Sequence, residues 1–180
     1  MNMSDGIIQF LGRNGLHIEV RDKANEKLIA YRRNIYFPEL LFHLGLSEFR
    51  QERFLIKIES QDQQIAYEHK MTNIKGCGMF FPFPVPTDQV MCAMKIAALL
   101  SRKKGRDFYD VMFLMSQTSP DYNFLTEKSG VGNLQALKES FIDLLSKVDL
   151  TKKAKDFGHL VFNKTNTRRI LSFGEFVNEL

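Results

Sequence analysis

Apolar and polar residues alternate along two segments near the N-terminus. The first runs from Leu16 to Val20, and the second lies within residues 28–37. Such alternation is typical of strands that bury one face, and the polar residues 22–25 between the two segments favour a turn. The pattern therefore predicts an antiparallel pair of strands.

A third strand is predicted over residues 53–59. Its side chains fall on two faces, with Phe54, Ile56 and Ile58 on one and Leu55, Lys57 and Glu59 on the other. Before this strand, Pro38 is expected to begin a short helix over residues 39–44, and Gly45 is expected to end it. Because side chains alternate along a strand, Lys57 and Glu59 should share one face of the sheet.

The hydrophobic pattern then changes to a helical period. Residues 88–114 read as two helices, and Thr87 or Asp88 can cap the first of them. Lys95 is the only charge within the long apolar stretch of the first helix. Since burying an ammonium without a partner costs several kcal/mol, an anionic group should lie opposite it. Gly105 is predicted to end this helix.

The second helix is predicted over residues 107–117, with Asp107 and Asp110 three residues apart on one face. The turn before it concentrates four positive charges, at Arg102, Lys103, Lys104 and Arg106. Four cations beside two carboxylates form a suitable place to hold a triphosphate or an RNA backbone.

Helices continue towards the C-terminus. An amphipathic stripe at helical spacing should pack as core, and it consists of Leu134, Leu137, Phe141, Leu144, Leu145 and Val148. Residues 169–180 are predicted to form a last helix over the core. The chain is therefore expected to be α+β, with a small, antiparallel-leaning sheet in the N-terminal half packed against a C-terminal helical bundle.

Two segments also carry a family resemblance. MKIAALLSRKKGRDFYDVMFL, from residue 94, resembles the C-terminal motif of the AbiEii/AbiGii toxins of abortive-infection systems, which are nucleotidyltransferases of the polymerase-beta type. IYFPELLFHLGLSEFRQERFLIKIES, from residue 35, resembles the same family. Together they cover roughly residues 35 to 117, and the lysine followed by RKKGRDFYD is fairly specific.

The resemblance implies a metal-dependent site, of which part is missing from this sequence. Enzymes of this type begin the site with a Gly-Ser turn and a strand that carries two acidic residues one apart. The sequence contains no Gly-Ser dipeptide and no Asp/Glu-x-Asp/Glu triplet, and Glu19 and Asp22 have the wrong spacing. We therefore interpret the chain as an N-terminally truncated or split family member. Mg²⁺ and a nucleoside triphosphate are expected only if the acidic pair is supplied.

Eight residues are candidates for the site, and the resemblance itself assigns roles to Glu59 and Lys95. Glu59 matches the third carboxylate of such a site, as a metal ligand or general base; the catalytic candidates are Glu59, Lys95, Asp107 and Asp110. The candidate nucleotide-binding residues are Lys57, Arg102, Lys104 and Arg106. Three of these assignments have alternatives: Glu59 can pair with Lys57 of a neighbour or cap the strand end, Lys95 can pair with Asp110 or Asp107 rather than with phosphate, and Asp107 can cap its helix.

Composition narrows the class of protein. The chain has 180 residues, 44% of them hydrophobic, with no Trp, which is enough for a single domain made of a strand-rich part (1–86) and a helical part (87–180). No apolar run is long enough to span a bilayer and no secretory signal is evident. Two cysteines are too few for a disulfide framework or a zinc site. Cys77 and Cys92 are therefore expected to be small buried residues in a protein of the reducing cytoplasm. The four histidines have no ligand spacing.

Charge adds a mild preference for anionic partners. The net charge is +4, and later basic residues at Lys152–Lys155 and Arg168–Arg169 read more readily as solvated helix ends than as a binding surface. Two functions stay open. One is a toxin that transfers a nucleotide to RNA or protein once another chain or an omitted N-terminal segment supplies the missing ligands. The other is a non-catalytic module that binds a nucleotide, RNA or a cognate antitoxin, and oligomers are compatible with either.

Overall fold

A computed structural model describes residues 3–21, 31–163 and 165–180. The chain divides into two compact units, Met1–Gln64 and Ile65–Leu180. Small antiparallel sheets lie in the N-terminal half and helices dominate the C-terminal half, so the predicted α+β class is confirmed. The prediction of a single domain stays a prediction.

In its described residues, the first unit contains a three-stranded sheet and two helices. In chain order its elements are α1 (Met3–Arg13), β1 (Glu19–Val20), β2 (Tyr31–Phe37), α2 (Leu40–His43) and β3 (Phe54–Ser60). The sheet order is β1-β2-β3 and both pairs are antiparallel. The third predicted strand is confirmed to within a residue and the second is confirmed over Tyr31–Phe37, whereas of the first, predicted over 16–20, only Glu19–Val20 forms a strand. Residues 22–30, which include the predicted turn, lie outside the described residues.

One face of this sheet is largely apolar; it is buried on β2 but partly exposed on β3, where Phe54 and Ile56 are 42% and 40% exposed. Ile35 of β2 lies opposite Ile56 of β3 in the ladder, and Ile35 is fully buried. On the same face, Arg33 donates to Asp5 of α1 at 2.9 Å, which fixes that helix against the sheet. The sequence pattern predicts no element for the segment that forms α1. The short helix α2 is confirmed to within a residue, and Gly45 follows it with a positive φ of 67°.

The second unit contains a strand hairpin followed by helices. In chain order its elements are β4 (His69–Gly76), β5 (Met79–Pro86), α3 (Asp88–Arg102), α4 (Gly105–Met115), α5 (Tyr122–Ser129), α6 (Leu134–Ser146), α7 (Leu150–Phe157), a 3₁₀ helix (Gly158–Leu160), α8 (Thr165–Arg168), a second 3₁₀ helix (Arg169–Ser172) and α9 (Phe173–Glu179). The predicted last helix is confirmed by α9. Within the described ranges, no helix has the length and apolarity that crossing a membrane requires.

Three aromatic rings centre the helical core. Phe173 of α9 packs edge-to-face on Phe108 of α4 and on Phe141 of α6, with ring centroids 5.0 and 5.2 Å apart. All three side chains are fully buried. The predicted stripe on α6 is thus confirmed at its centre. It is wrong at Leu134, which is 43% exposed because it begins the helix, beside the Asn133 cap.

The β4–β5 hairpin was not predicted. Prolines at alternate positions made the β5 segment look like an interrupted apolar run, although alternate prolines are compatible with an edge strand. Its two-residue turn, Cys77-Gly78, has positive φ at both positions, 49° and 75°, as in a type I′ turn. Cys77 is exposed and Cys92 is buried, so the expectation of two buried cysteines is wrong for Cys77.

Candidate functional site

The α3–α4 helical hairpin positions most of the candidate residues. Thr87 caps α3, with its side chain accepting from the backbone N–H of Val90 at 3.4 Å. Lys103 ends the helix in a left-handed conformation with φ 53°. Gly105 is the first residue of α4, so the prediction that Gly105 ends the first helix and that Asp107 begins the second is wrong by two residues.

Lys95 and Asp110 face each other across this hairpin. Nζ of Lys95 donates to Oδ2 of Asp110 at 2.7 Å, and both side chains are about one-quarter exposed, at 27% and 23%. Nε of Arg106 approaches the same carboxylate oxygen at 3.6 Å. The anionic group expected opposite Lys95 is therefore Asp110, and one carboxylate serves two cations.

Asp107 and Arg102 form a second, more buried pair. The guanidinium of Arg102 donates to both carboxylate oxygens, with its shortest contact 2.6 Å from Nη2 to Oδ1, and the Asp107 side chain is only 1% exposed. The hydrogen bond with Asp107 is the main cause of a raised pKa at Arg102. Asp107 also accepts from the backbone N–H of Lys104 at 3.2 Å. Asp107 thus makes a capping contact at the start of α4, which is the alternative considered for this residue.

Gly105 brings a distant helix to the turn Arg102–Arg106, here called the basic turn. A Cβ built on Gly105 would lie 2.1 Å from the carbonyl oxygen of Lys153 in α7, a distance that no side chain tolerates. Only glycine lets the start of α4 approach the α7 backbone this closely. The close approach places Lys153 beside the basic turn, although the two are far apart in the sequence.

Between these elements lies a pocket of about 450 Å³, here called the basic pocket. Its polar wall consists of Arg102, Lys104, Arg106, Asp107, Lys153, Asp156 and His159, and the rest of its lining is Gly105, Phe157 and Leu160. Four permanent cations therefore surround it against two carboxylates, of which Asp107 is already paired with Arg102. The volume lies within the range of small-molecule sites.

Sequence reasoning identified three of the four cations of this pocket. It favoured solvated helix ends for the run that contains Lys153, whereas the structure places Lys153 in the basic pocket. The basic run itself was visible, but nothing in it showed which surface it would meet. Lys103 was grouped with the cations of the turn, but it lines a separate pocket with Glu139 and Asp143. The four charges of the turn therefore do not share one face.

Glu59 and Lys57 lie in the first unit. Both belong to one face of β3, as predicted, and the ladder places Arg32 opposite Glu59 and Asn34 opposite Lys57. Glu59 forms a salt bridge with Arg32, and the carboxylate side chain is 45% exposed. Glu59 is therefore in an exposed ion pair, but its partner is Arg32 and not the Lys57 of a neighbour that the alternative named.

The metal site that the resemblance implies needs an acidic pair beside the third carboxylate, and so three carboxylates together. In the part of the chain that the structure describes, no group of three or more His, Cys, Asp or Glu side chains could hold a metal ion. Glu59 is paired with Arg32, and Asp110 with Lys95. These residues by themselves do not fit a magnesium site.

The mixed fold of the chain is consistent with a nucleotidyltransferase-like domain. The family model described as nucleotidyl transferase AbiEii toxin, type IV toxin–antitoxin system, matches residues 19–154, and the chain belongs to this family. No curated protein and no solved structure matches it. Membership implies a role in a toxin–antitoxin system, with a cognate antitoxin and a nucleotide substrate.

Proposed function

We propose that this chain binds a nucleoside triphosphate in the basic pocket and takes part in transferring a nucleotide from it to RNA or protein. The observation that carries the proposal is the convergence of Arg102, Lys104, Arg106 and Lys153 on one pocket. A triphosphate carries several negative charges, and guanidinium and ammonium groups are the side chains that bind phosphate most strongly. Family membership supports the same class of ligand.

The site offers a way for the ligand to engage Lys95. Arg106 both lines the basic pocket and approaches Asp110, so phosphate bound by Arg106 lies near the Lys95–Asp110 pair. Phosphate oxygens could accept from Lys95 in place of the carboxylate, which would free Asp110. The two roles considered for Lys95, ion pair and phosphate ligand, then describe the free and the bound states.

In the proposed transfer, an acceptor hydroxyl forms a bond to the α-phosphorus while the bond from that phosphorus to the bridging oxygen breaks and pyrophosphate leaves. The hydroxyl proton passes to a carboxylate, for which Asp110, in the same unit as the basic pocket, is the candidate. Mg²⁺ belongs to this proposal only if the remaining ligands come from outside these residues, either from an upstream segment of the protein or from a second chain. A cytoplasmic setting suits both the free thiols and the nucleotide substrate.

The test is calorimetric titration of the chain with ATP, GTP, CTP and UTP, each with and without magnesium. Lys153→Ala removes a cation from the pocket, and Lys152→Ala removes the neighbouring cation, which does not line it. The two variants have equal net charge and lie on the same helix. We expect Lys153→Ala to weaken triphosphate binding about tenfold, in line with one charge-assisted contact, and Lys152→Ala to leave it nearly unchanged.

Absence of binding by any triphosphate would contradict the proposal. Equal weakening by both variants would also contradict it, because binding would then depend on net charge rather than on the pocket. Raising the salt concentration should weaken binding less for Lys153→Ala than for the wild type, since one screened contact is missing.

A second function has its own supporting observation. The sequence lacks both a Gly-Ser dipeptide and an Asp/Glu-x-Asp/Glu triplet, and no metal-holding cluster occurs among the described residues. A non-catalytic module that binds a nucleotide, RNA or the cognate antitoxin fits these facts. Triphosphate binding that is independent of magnesium, without pyrophosphate release when RNA is added, would favour this module over a transferase.

A further inference from the structure

The lining of the basic pocket changes its chemistry along one segment of the chain. Lys153 of α7 lies against the basic turn. Asp156 follows three residues later in the same helix, and the lining then continues with Phe157, His159 and Leu160. This wall of the pocket therefore runs from a cation to a carboxylate and then to aromatic and apolar side chains.

Asp156 is the carboxylate of this pocket that has no partner. Within the described ranges, its exposed side chain makes no salt bridge and no hydrogen bond, whereas Asp107 is held by Arg102. An unpaired carboxylate repels phosphate that binds near it. Because an ionised carboxylate is an acceptor only, Asp156 favours binding of a ligand that brings hydrogen-bond donors as well as phosphates.

The order of these side chains matches the order of the parts of a nucleotide. Residues three apart in a helix lie on one face, about 4.5 Å apart along its axis, so Asp156 lies one step beyond the cation Lys153. In a nucleotide the sugar follows the phosphates directly and the base follows the sugar. Leu160, at the far end of the segment, is 55% exposed and so offers apolar surface to a base. The sugar hydroxyls are then the donors that lie nearest to Asp156.

We propose that Asp156 accepts hydrogen bonds from the 2′- and 3′-hydroxyls of the bound triphosphate and makes the basic pocket selective for ribonucleotides over 2′-deoxyribonucleotides. This inference rests on the proposed function, because it requires the triphosphate to bind in the basic pocket. The two oxygens of one carboxylate can accept from two adjacent hydroxyls. Loss of the 2′-hydroxyl removes one charge-assisted hydrogen bond, which corresponds to about a tenfold loss of affinity.

The test is calorimetric titration with ATP, GTP, CTP and UTP, each beside its 2′-deoxy form. The measured quantity is the ratio of the two dissociation constants, since the repulsion between residue 156 and the phosphates is the same for both forms and cancels. We expect the wild type to bind the ribonucleotide about tenfold more tightly, and Asp156→Ala to bind the two forms within about twofold of each other. Asp156→Asn keeps an oxygen acceptor without the charge, so its ratio should be intermediate.

Two controls separate the sugar contact from effects of charge and of folding. Glu179→Ala removes the same charge from an exposed position on α9 that does not line the basic pocket, and it should keep the wild-type ratio. Inorganic tripolyphosphate has no sugar, so Asp156→Ala should bind it at least as tightly as the wild type does, because a repulsive charge is gone. Weaker binding of tripolyphosphate by this variant would show that Asp156 supports the shape of the pocket, and would overturn the proposal.

The remaining outcomes distinguish this inference from the proposed function. Equal binding of both forms by the wild type excludes the sugar contact and leaves triphosphate binding intact. A ratio that Asp156→Ala does not change assigns the selectivity to another residue and also overturns the proposal. Equal weakening of both forms by Asp156→Ala, seen only when magnesium is present, makes Asp156 a metal ligand instead. Failure of every triphosphate to bind overturns this inference together with the proposed function.

Discussion

Gly105 and Lys153 are in contact through their backbones, with no room for a side chain on the glycine: a Cβ there would lie 2.1 Å from the Lys153 carbonyl oxygen and 3.1 Å from Cβ of Phe157. This single approach joins the basic turn to α7 and creates the basic pocket between them. The pocket thus depends on a residue that carries no functional group.

We expect Gly105→Ala to lower the free energy of unfolding by about 2 kcal/mol, because the added methyl must push α4 away from backbone atoms that cannot move aside cheaply. Urea denaturation measures the change. Gly174→Ala in α9 is the matched control, since a Cβ there meets nothing within 4 Å; in a helix it should be neutral or slightly stabilising. Equal effects of the two substitutions would show that the close approach is not what requires glycine at position 105.

The sequence was most informative where a pattern repeats over several residues. The alternation in β3 and the apolar stretch of α3 gave both elements nearly at their observed bounds, because each is specified by many residues at once. The partner of Lys95 was narrowed to two carboxylates by the cost of burying its charge. Which of the two carboxylates pairs with Lys95 depends on where α4 begins. The helix begins at Gly105, two residues before its predicted start.

The sequence was least informative about contacts between distant segments. Lys153 and Gly105 are separated by helices α4 to α6, and no local pattern links them. The β4–β5 hairpin was missed for another reason. Proline is usually evidence against a strand, and only the register shows that its three prolines occupy positions without ladder donors.

The two cysteines should react very differently. Burial raises the pKa of the Cys92 thiol to about 12, whereas Cys77 is exposed. At about pH 8, where an ordinary thiol already reacts as its thiolate, a thiol reagent should modify one cysteine per native chain and both in denaturant. Modification of two cysteines in the native chain would contradict the buried position of Cys92.

The same pKa predicts a pH dependence of stability. The native pKa is raised above the unfolded value of 9.0, so the contribution of Cys92 is fully present below pH 9 and is lost as pH rises towards 12. Cys92→Ala removes this titration. We expect the difference in unfolding free energy between the wild type and Cys92→Ala to be constant below pH 9 and to move in favour of the variant above it. A constant difference up to pH 12 would contradict the assignment.

The turn of the β4–β5 hairpin can be improved. Cys77 has a φ of 49° and precedes Gly78 with a φ of 75°, and Asn-Gly is the preferred pair for a turn with both residues in this region. Cys77→Asn should raise the midpoint of thermal unfolding, because the free energy of unfolding should increase by about 0.5 kcal/mol. Cys77→Val should lower it, because a β-branched residue is strained at positive φ. A higher midpoint for Val than for Asn would contradict the turn geometry.

The Lys95–Asp110 pair should contribute more to stability than the exposed ion pairs of this chain. Both of its side chains are about three-quarters buried, whereas the Lys147–Asp143 pair is more than half exposed on each side. A double-mutant cycle with Lys95→Met and Asp110→Asn should give a coupling energy of about 1 kcal/mol. The cycle Lys147→Met and Asp143→Asn should give less than about 0.5 kcal/mol, as for exposed helix pairs. If saturating triphosphate draws Lys95 away from Asp110, the first coupling should fall in its presence and the second should not change; a coupling at Lys95 that is unaffected by bound triphosphate would restrict this lysine to a structural role.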